Sequence, residues 1–427
     1  MTLLISLLSL TFGLVLIFKW SWMRIEGLSP LWISLAFLLK VAVGVIVWFI
    51  YAQVIDIPRN EADVFKYFDD GVRIKESFHE KPELFFELFS GNHSSERAEE
   101  ISHELNYWDR SYELIQVNDN RAMIRVNAVM AFFSHGEYQV HSILFNLISL
   151  LGIILMFKGI SGLYKLPPWS FSLLFIVAPS LLFWGSAPLK EALVLLPMGL
   201  LLFSLKDLDE KGPNKLLLAC AVLLSLFIKP YVALAIFPGI LFLIISSYRK
   251  EKMLHVFLFI HGFILFGLFI SQWVPSLDVI GVLSVKQKDF FNVATSVAAG
   301  SVIDIPRFTD LWGFLKASPS AVWRTYFRPG CWEMRSMLDG MAGVENLFYM
   351  IILLFALIKR SKKINMRMLL FCISFILGMG ILIGTVTPVL GASVRYRVPA
   401  LPFFLLLIYV LIDRPYIARC LKINCSV

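Results

Sequence analysis

Apolar runs recur along this chain near residues 2–18, 31–53, 139–157, 168–186, 191–205, 214–228, 232–247, 253–273, 346–358, 368–388 and 398–412. A membrane-spanning helix needs roughly 20 mostly apolar residues. The pattern therefore predicts an all-α, polytopic membrane protein of about eleven spans, of which 191–205 and 346–358 are short. The first run lacks the basic start and the small-residue cleavage site of a secretory signal, so we read it as a retained helix. No tandem repeat or low-complexity segment interrupts the series. We expect one membrane domain over 1–427 with two long loops, 54–137 and 274–345.

The first long loop carries helical periodicity of its own. In EADVFKYFDDGVRIK (61–75), Val64, Phe65, Phe68 and Val72 recur at helical spacing with charges between them. RAMIRVNAVMAFFS (121–134) is apolar enough to lie on a bilayer surface. Both predict interfacial helices.

Composition sharpens this picture. Hydrophobic residues make up 58% of the 427 and charged residues 16%, with a mean hydropathy of +0.74. Soluble domains run near 45–50% apolar and 25% charged. A soluble enzyme, a disordered chain and a collagen-like fibre are excluded. The 39 basic residues against 31 acidic ones give a charge of +8. Cytoplasmic loops of membrane proteins carry such an excess, so we expect no nucleic-acid partner. Of five cysteines, Cys220 and Cys372 fall in apolar runs, Cys420 and Cys425 in the tail, and Cys331 alone is expected to face outward, so no external disulfide is expected.

The short loops orient the chain. Lys19 and Arg24, Lys158 and Lys165, Lys206, Lys211 and Lys215, Arg249 to Lys252, Lys359 to Arg367, and the tail residues Arg414, Arg419 and Lys422 fall in every second loop. They are expected in the cytoplasm, with the N-terminus outside and the C-terminus inside. Both long loops then face outward, the first with 17 acidic and 9 basic residues.

Four cations break that rule: Lys190 in WGSAPLKE, Lys229 in IKPY, and Arg395 and Arg397 in RYRVP. Each either pairs with an acid, as Glu191 beside Lys190 allows, or snorkels, or belongs to a cationic pocket for phosphate or pyrophosphate. Arg395 and Arg397 have no acid within ten residues. Pro179, Gly185 and Pro188 interrupt the helix pattern before Lys190, and such backbone is tolerated where protein or a watery cavity surrounds it. Lys40, inside the second run, is an intramembrane charge that calls for a function or an internal partner.

Glu61 and Asp63 follow the second run. Asp63 and Tyr67 share a helix face at i, i+4, and Asp69 and Asp70 lie on other faces. Asp63 at a membrane surface is a candidate general base toward an acceptor hydroxyl. With a second acid it could ligate a divalent metal, or it simply complements a helix N-terminus. In the second loop, Arg324, Arg328, Glu333 and Arg335 surround Trp323, Tyr326, Phe327 and Trp332, which suits either sugar or headgroup contact or an interfacial aromatic belt. Glu345 is expected as a surface acid opening the ninth span. The histidines show no metal spacing, and no nucleotide-binding loop is present.

DxxxY at Asp63 and Tyr67, FWGSAPLKE, and RYRVPALP together resemble motifs of GT-C glycosyltransferases, the bacterial enzymes that use polyprenyl-phosphate sugars. The resemblance covers most of the chain as topology and about thirty residues as motifs. It implies an all-helical GT-C-like fold in the bacterial cytoplasmic membrane. It also implies transfer of a sugar from a polyprenyl-phosphate carrier to an envelope glycan or lipid acceptor on the outer face. Asp63 would be the catalytic base, and Glu61 and Tyr67 its neighbours. Arg395 and Arg397 would hold the carrier phosphate, joined by Lys190 and Lys229 on charge and position alone. No cofactor is implied with certainty, and a divalent cation stays open. Family members often carry a paired acid directly after the first span; here Glu61 and Asp63 are separated by one residue and follow the second, and Asp69–Asp70 is an alternative pair. An O-antigen-type polymerase or ligase, using pyrophosphate-linked oligosaccharide, is the second reading. A transporter or flippase is the third, and the lack of an internal repeat counts against it.

Overall fold

The computed structural model describes residues 2–55, 57–108, 119–296 and 301–413; Cys420, Cys425 and the basic tail lie outside them. The described residues form helices with no strand between them. In chain order these are α1 (Thr2–Lys19), α2 (Pro30–Phe49), α3 (Asp63–Glu80), α4 (Pro82–Ser90), α5 (Glu96–Glu104), α6 (Asp119–Ser134), α7 (Tyr138–Leu163), α8 (Ser170–Phe175), α9 (Pro179–Trp184) and α10 (Lys190–Phe203). They continue as α11 (Leu208–Lys211), α12 (Lys215–Ile228), α13 (Pro230–Tyr248), α14 (Met253–Ser271), α15 (Val279–Ser296), α16 (Leu311–Phe327), α17 (Met337–Ile358), α18 (Met366–Val386), α19 (Leu390–Tyr396) and α20 (Leu401–Leu411).

Among the described residues, six helical segments are long and apolar enough to cross a bilayer: Pro30–Val54, Tyr138–Leu163, Pro230–Tyr248, Lys250–Ser271, Met337–Ile358 and Met366–Val386. The pair Leu390–Tyr396 and Val398–Leu411, bent by 42°, would make a seventh, and the helices of Leu3–Lys19 and Lys215–Ile228 are apolar but shorter. Large exposed apolar side chains such as Phe259, Phe263 and Phe266 on α14 require lipid around them. This is an all-α membrane protein. The run at 168–186 is not one helix: it breaks into α8 and α9, the second opening at Pro179, because proline cannot donate to the preceding turn.

The chain divides into two compact units. The first comprises Met1–Phe171, Leu181–Lys206 and Asn214–Pro230. Its centre is the packing of α7 on α10, made possible by glycines. A Cβ on Gly152 would stand 2.4 Å from the Leu195 backbone, one on Gly159 2.3 Å from Leu202, and one on Gly199 2.1 Å from the Gly152 oxygen. Small residues let helix backbones touch where lipid supplies no hydrophobic drive for association.

The two segments expected to be helical are helices, α3 and α6, and they pack on one another. Gly71 lies against the Asn127 backbone, where a Cβ would come within 2.8 Å. Val64, Phe65, Phe68 and Ile74 of α3 are buried, while Val129 and Phe133 of α6 stay exposed. The loop also forms α4 and α5. Pro82 starts α4 at a position where its missing N–H costs nothing. Gly91, at φ 82°, ends it in the left-handed region. Ser95 caps α5 by accepting from Ala98 N at 3.2 Å.

The second unit comprises Ser172–Ser180, Asp207–Pro213 and Tyr231–Val427. Here α16 packs on α18 through Gly384, whose Cβ would lie 2.2 Å from the Ala321 oxygen. Arg367 joins α18 to α11 by an ion pair with Asp209 at 2.7 Å and donates to the Leu243 carbonyl of α13 at 3.0 Å.

Candidate active site

The start of α3 carries the candidate base. Ala62 supplies no side-chain cap, so the acid of the first turn, Asp63, complements the exposed N–H groups. Asp63 forms an ion pair with Lys66 one turn on, and Lys66 is buried while Asp63 keeps 23% of its side chain exposed. The Lys66 ammonium lies 3.5 Å from the centre of the Tyr107 ring and 5.3 Å from that of Tyr67. The two rings meet edge to face. The cation therefore sits between aromatic faces and fixes the carboxylate it pairs with.

Tyr67 continues the network. Its hydroxyl donates to Asn120 Oδ1 at 3.0 Å, and Lys190 Nζ donates to the same oxygen at 2.7 Å. Lys190 Nζ also stands 5.2 Å from the Tyr67 ring. Asp63, Lys66, Tyr67, Asn120 and Lys190 thus form one connected group within the first unit. Lys66 and Asn120 were not singled out from the sequence. Lys66 could have been, since it stands at i+3 from Asp63. Asn120 could not, because its partners are 53 and 70 residues away and a neutral amide carries no charge signal.

The remaining acids of α3 hold the surrounding chain. Asp70 accepts from Asn106 N at 2.8 Å, Asn106 Nδ2 at 3.0 Å and Tyr107 N at 2.9 Å, which places the Tyr107 ring over Lys66. Burial pushes the Asp70 carboxyl above its ordinary range, and the three N–H donors pull against that. Asp69 is held bidentately by Arg59 at 2.7 and 2.8 Å. Glu61 is exposed, one turn of backbone ahead of the helix.

Adjacent residues at the start of α10 turn to different partners. Lys190 reaches Asn120, whereas Glu191 pairs with Lys229 at 2.6 Å, both side chains almost fully buried. The local Lys190–Glu191 pair allowed by the sequence is replaced by these two longer links. The unwound turn ahead of Lys190 is secured from α2 and α7. Lys40 Nζ donates to Gly185 O at 2.6 Å and contacts Ser186 Oγ at 3.3 Å. Ser149 Oγ donates to Gly185 O at 2.9 Å, and Asn146 Nδ2 to Ser186 O at 2.9 Å. The intramembrane charge of Lys40 therefore has an internal partner: the carbonyls that the break at 185–189 would leave without donors.

The RYR motif lies in the second unit. Arg397 is fully buried. It donates to Thr325 O at 2.9 Å, Tyr326 O at 3.1 Å and Asn346 Oδ1 at 2.5 Å, and its guanidinium stands 3.9 Å from Glu345. Arg395 is half-buried beside the Tyr396 ring at 5.3 Å. Glu345 is not a surface acid. It accepts from the backbone and hydroxyl of Ser180 and from Tyr349 Oη at 2.6 Å. Arg328 pairs with Glu333, which also accepts from Gly330 N at 2.8 Å, while Trp323 and Trp332 are exposed.

Among the described residues no three His, Cys, Asp or Glu side chains converge as metal ligands do. Comparison with known protein families, with curated proteins and with solved structures gives no match.

Proposed function

We propose that this protein is a GT-C-like membrane glycosyltransferase with Asp63 as general base. One observation carries the reading: a partly exposed carboxylate after a span, oriented by a buried ammonium, in a network that reaches a second buried cation. The acceptor hydroxyl oxygen attacks the anomeric carbon of the donor and its proton passes to Asp63. The bond from that carbon to the carrier phosphate breaks, and the phosphate leaves with the electron pair. Lys190 supplies positive charge as the phosphate becomes more anionic. Donor and acceptor classes, a polyprenyl-phosphate sugar and an envelope glycan or lipid, come from the motif resemblance.

The resemblance gives both arginines of RYR to the carrier phosphate. Nη1 and Nη2 of Arg397 are committed to Thr325, Tyr326 and Asn346, so we assign it to holding that turn and leave the phosphate role to Arg395. About eleven crossings, the outer-face placement of 54–137 and 274–345, and residence in a bacterial cytoplasmic membrane belong to the same reading.

The test is Asp63→Asn, checked for folding by thermal unfolding and for glycan composition by complementation. Loss of a general base lowers turnover about 10²–10⁴-fold with the fold retained. Wild-type glycan from Asp63→Asn would end the reading. If transfer then still required external arginines, a polymerase or ligase using pyrophosphate-linked oligosaccharide would replace it.

A further inference from the structure

Three helices of the first unit end close together. α1 stops at Lys19, α7 at Leu163 and α10 at Phe203, and the short turn Ser21–Met23 that follows α1 touches the other two. Lys158 Nζ of α7 donates to the Ser21 and Trp22 carbonyls of that turn at 3.1 and 2.9 Å. The Trp22 ring meets Phe203 of α10 at 5.7 Å. Lys206 Nζ stands 4.7 Å from the centre of the Phe203 ring. Gly162 permits this approach, since a Cβ there would clash with the Lys206 carbonyl. Two ammonium groups from different helix ends therefore flank one aromatic floor. We propose that this floor binds the phosphate of an anionic phospholipid.

Three observations select that occupant. The first is charge. At the half-buried Lys158, the repulsion from Lys206 exceeds the attraction of Glu26. Packing has gathered more positive charge here than Glu26 balances, and an anion would relieve it. A lysine ammonium has three donors; the two carbonyls take two of them and leave the third for a phosphate oxygen. The second is depth. α7 is long and apolar enough to cross a bilayer, so its last turns stand where a span meets the headgroups. Trp20 and Trp22, both exposed and stacked at 6.0 Å, lie at that level, as tryptophan does at membrane interfaces. The third is the apolar flank. Val15 and Phe18 of α1 are exposed and offer a path for an acyl chain.

A zwitterionic lipid brings its own cation, which the two lysines would repel. Free phosphate has no chain to cover the apolar flank. Basic clusters at span ends hold acidic headgroups in this way, each cation adding its share. The site is remote from the candidate base. Tyr138, which packs on Phe65 and Phe68 of α3, lies toward the other end of α7, about 30 Å from Lys158 at about 1.5 Å per residue. The binding does not rest on the transferase reading.

The experiment uses the full chain in nanodiscs holding equal amounts of phosphatidylglycerol, phosphatidylethanolamine and phosphatidylcholine. The protein is released in an amine-oxide detergent, and the lipids it retains are counted by native mass spectrometry. Phosphatidylglycerol is expected to be retained over both zwitterionic lipids. Lys206→Gln, at an exposed position, is expected to fold and to lower that retention about fivefold, the effect of one cation on an acidic headgroup. Lys158→Arg keeps the charge and is expected to keep the lipid, whereas Lys158→Gln is expected to lose it. Lys316→Gln removes an exposed cation beside Trp312 and is expected to change nothing. Retention of either zwitterionic lipid equal to or above phosphatidylglycerol would overturn the proposal, as would undiminished phosphatidylglycerol in Lys206→Gln. So would a loss in Lys316→Gln as large as in Lys206→Gln, because retention would then follow total charge and not this site. Excess inorganic phosphate is not expected to displace the lipid; displacement would show a site for a free oxyanion and overturn the lipid assignment.

Discussion

Arg397 with Glu345 and Arg328 with Glu333 show how differently a buried and a partly exposed charge pair behave. Arg397 bridges α16 and α17 to the turn after α19 with every assigned bond buried. Removing one partner of a buried charged network costs about 3–5 kcal/mol. Arg397→Ala is therefore expected to lose folded protein in a thermal-unfolding assay, and Arg397→Lys to recover only part, since an ammonium cannot reproduce the planar fork. Glu333 lies in the loop between α16 and α17. Hydrogen bonding from Arg328 holds its carboxyl below the ordinary value of 4.5. A carboxyl lowered in the folded state contributes stability that is complete above 4.5 and lost as pH falls through the lower folded value. Hydrogen exchange over residues 328–335 should speed up on acidification below 4.5, and in Glu333→Gln this pH dependence should vanish.

The helices and their links show the same logic one level up. The start of α10 is fixed by Lys190 to α6 and by Glu191 to Lys229 at the end of α12. Lys229→Met leaves Glu191 charged and buried and is expected to cost about 3–5 kcal/mol. The double variant Lys229→Met, Glu191→Met replaces both charges by apolar side chains and should regain most of that loss. A double-mutant cycle on unfolding measures the difference. Additive losses would show that the pair is not coupled. The amphipathic pattern of 61–75 was enough to find α3, because its apolar positions recur at helical spacing. It could not reveal α4 and α5, which are nine residues each and too short to stand out from loop composition.

For the molecule as a whole, the bias of basic residues predicts that residue 331 faces outward. Cys331 is partly exposed, Cys372 is buried, and Cys220 sits on the apolar helix α12. A membrane-impermeant maleimide applied to intact cells should therefore label Cys331, and Cys331→Ser should abolish the labelling. Persistent labelling in that variant would invert the orientation. The membrane class, most helix positions and the candidate acid were legible in the chain, because burial in lipid demands long apolar runs and a charge near them is conspicuous. The partners of the charges were not legible. Lys40 finds Gly185, Lys190 finds Asn120 and Arg397 finds Asn346 across 145, 70 and 51 residues. Sequence spacing carries no such information, since in low dielectric a charge takes whichever donor or acceptor the packing of helices brings to it. That packing, set by glycines at backbone crossings, turned three apparent anomalies into two structural pegs and one arm of a candidate site.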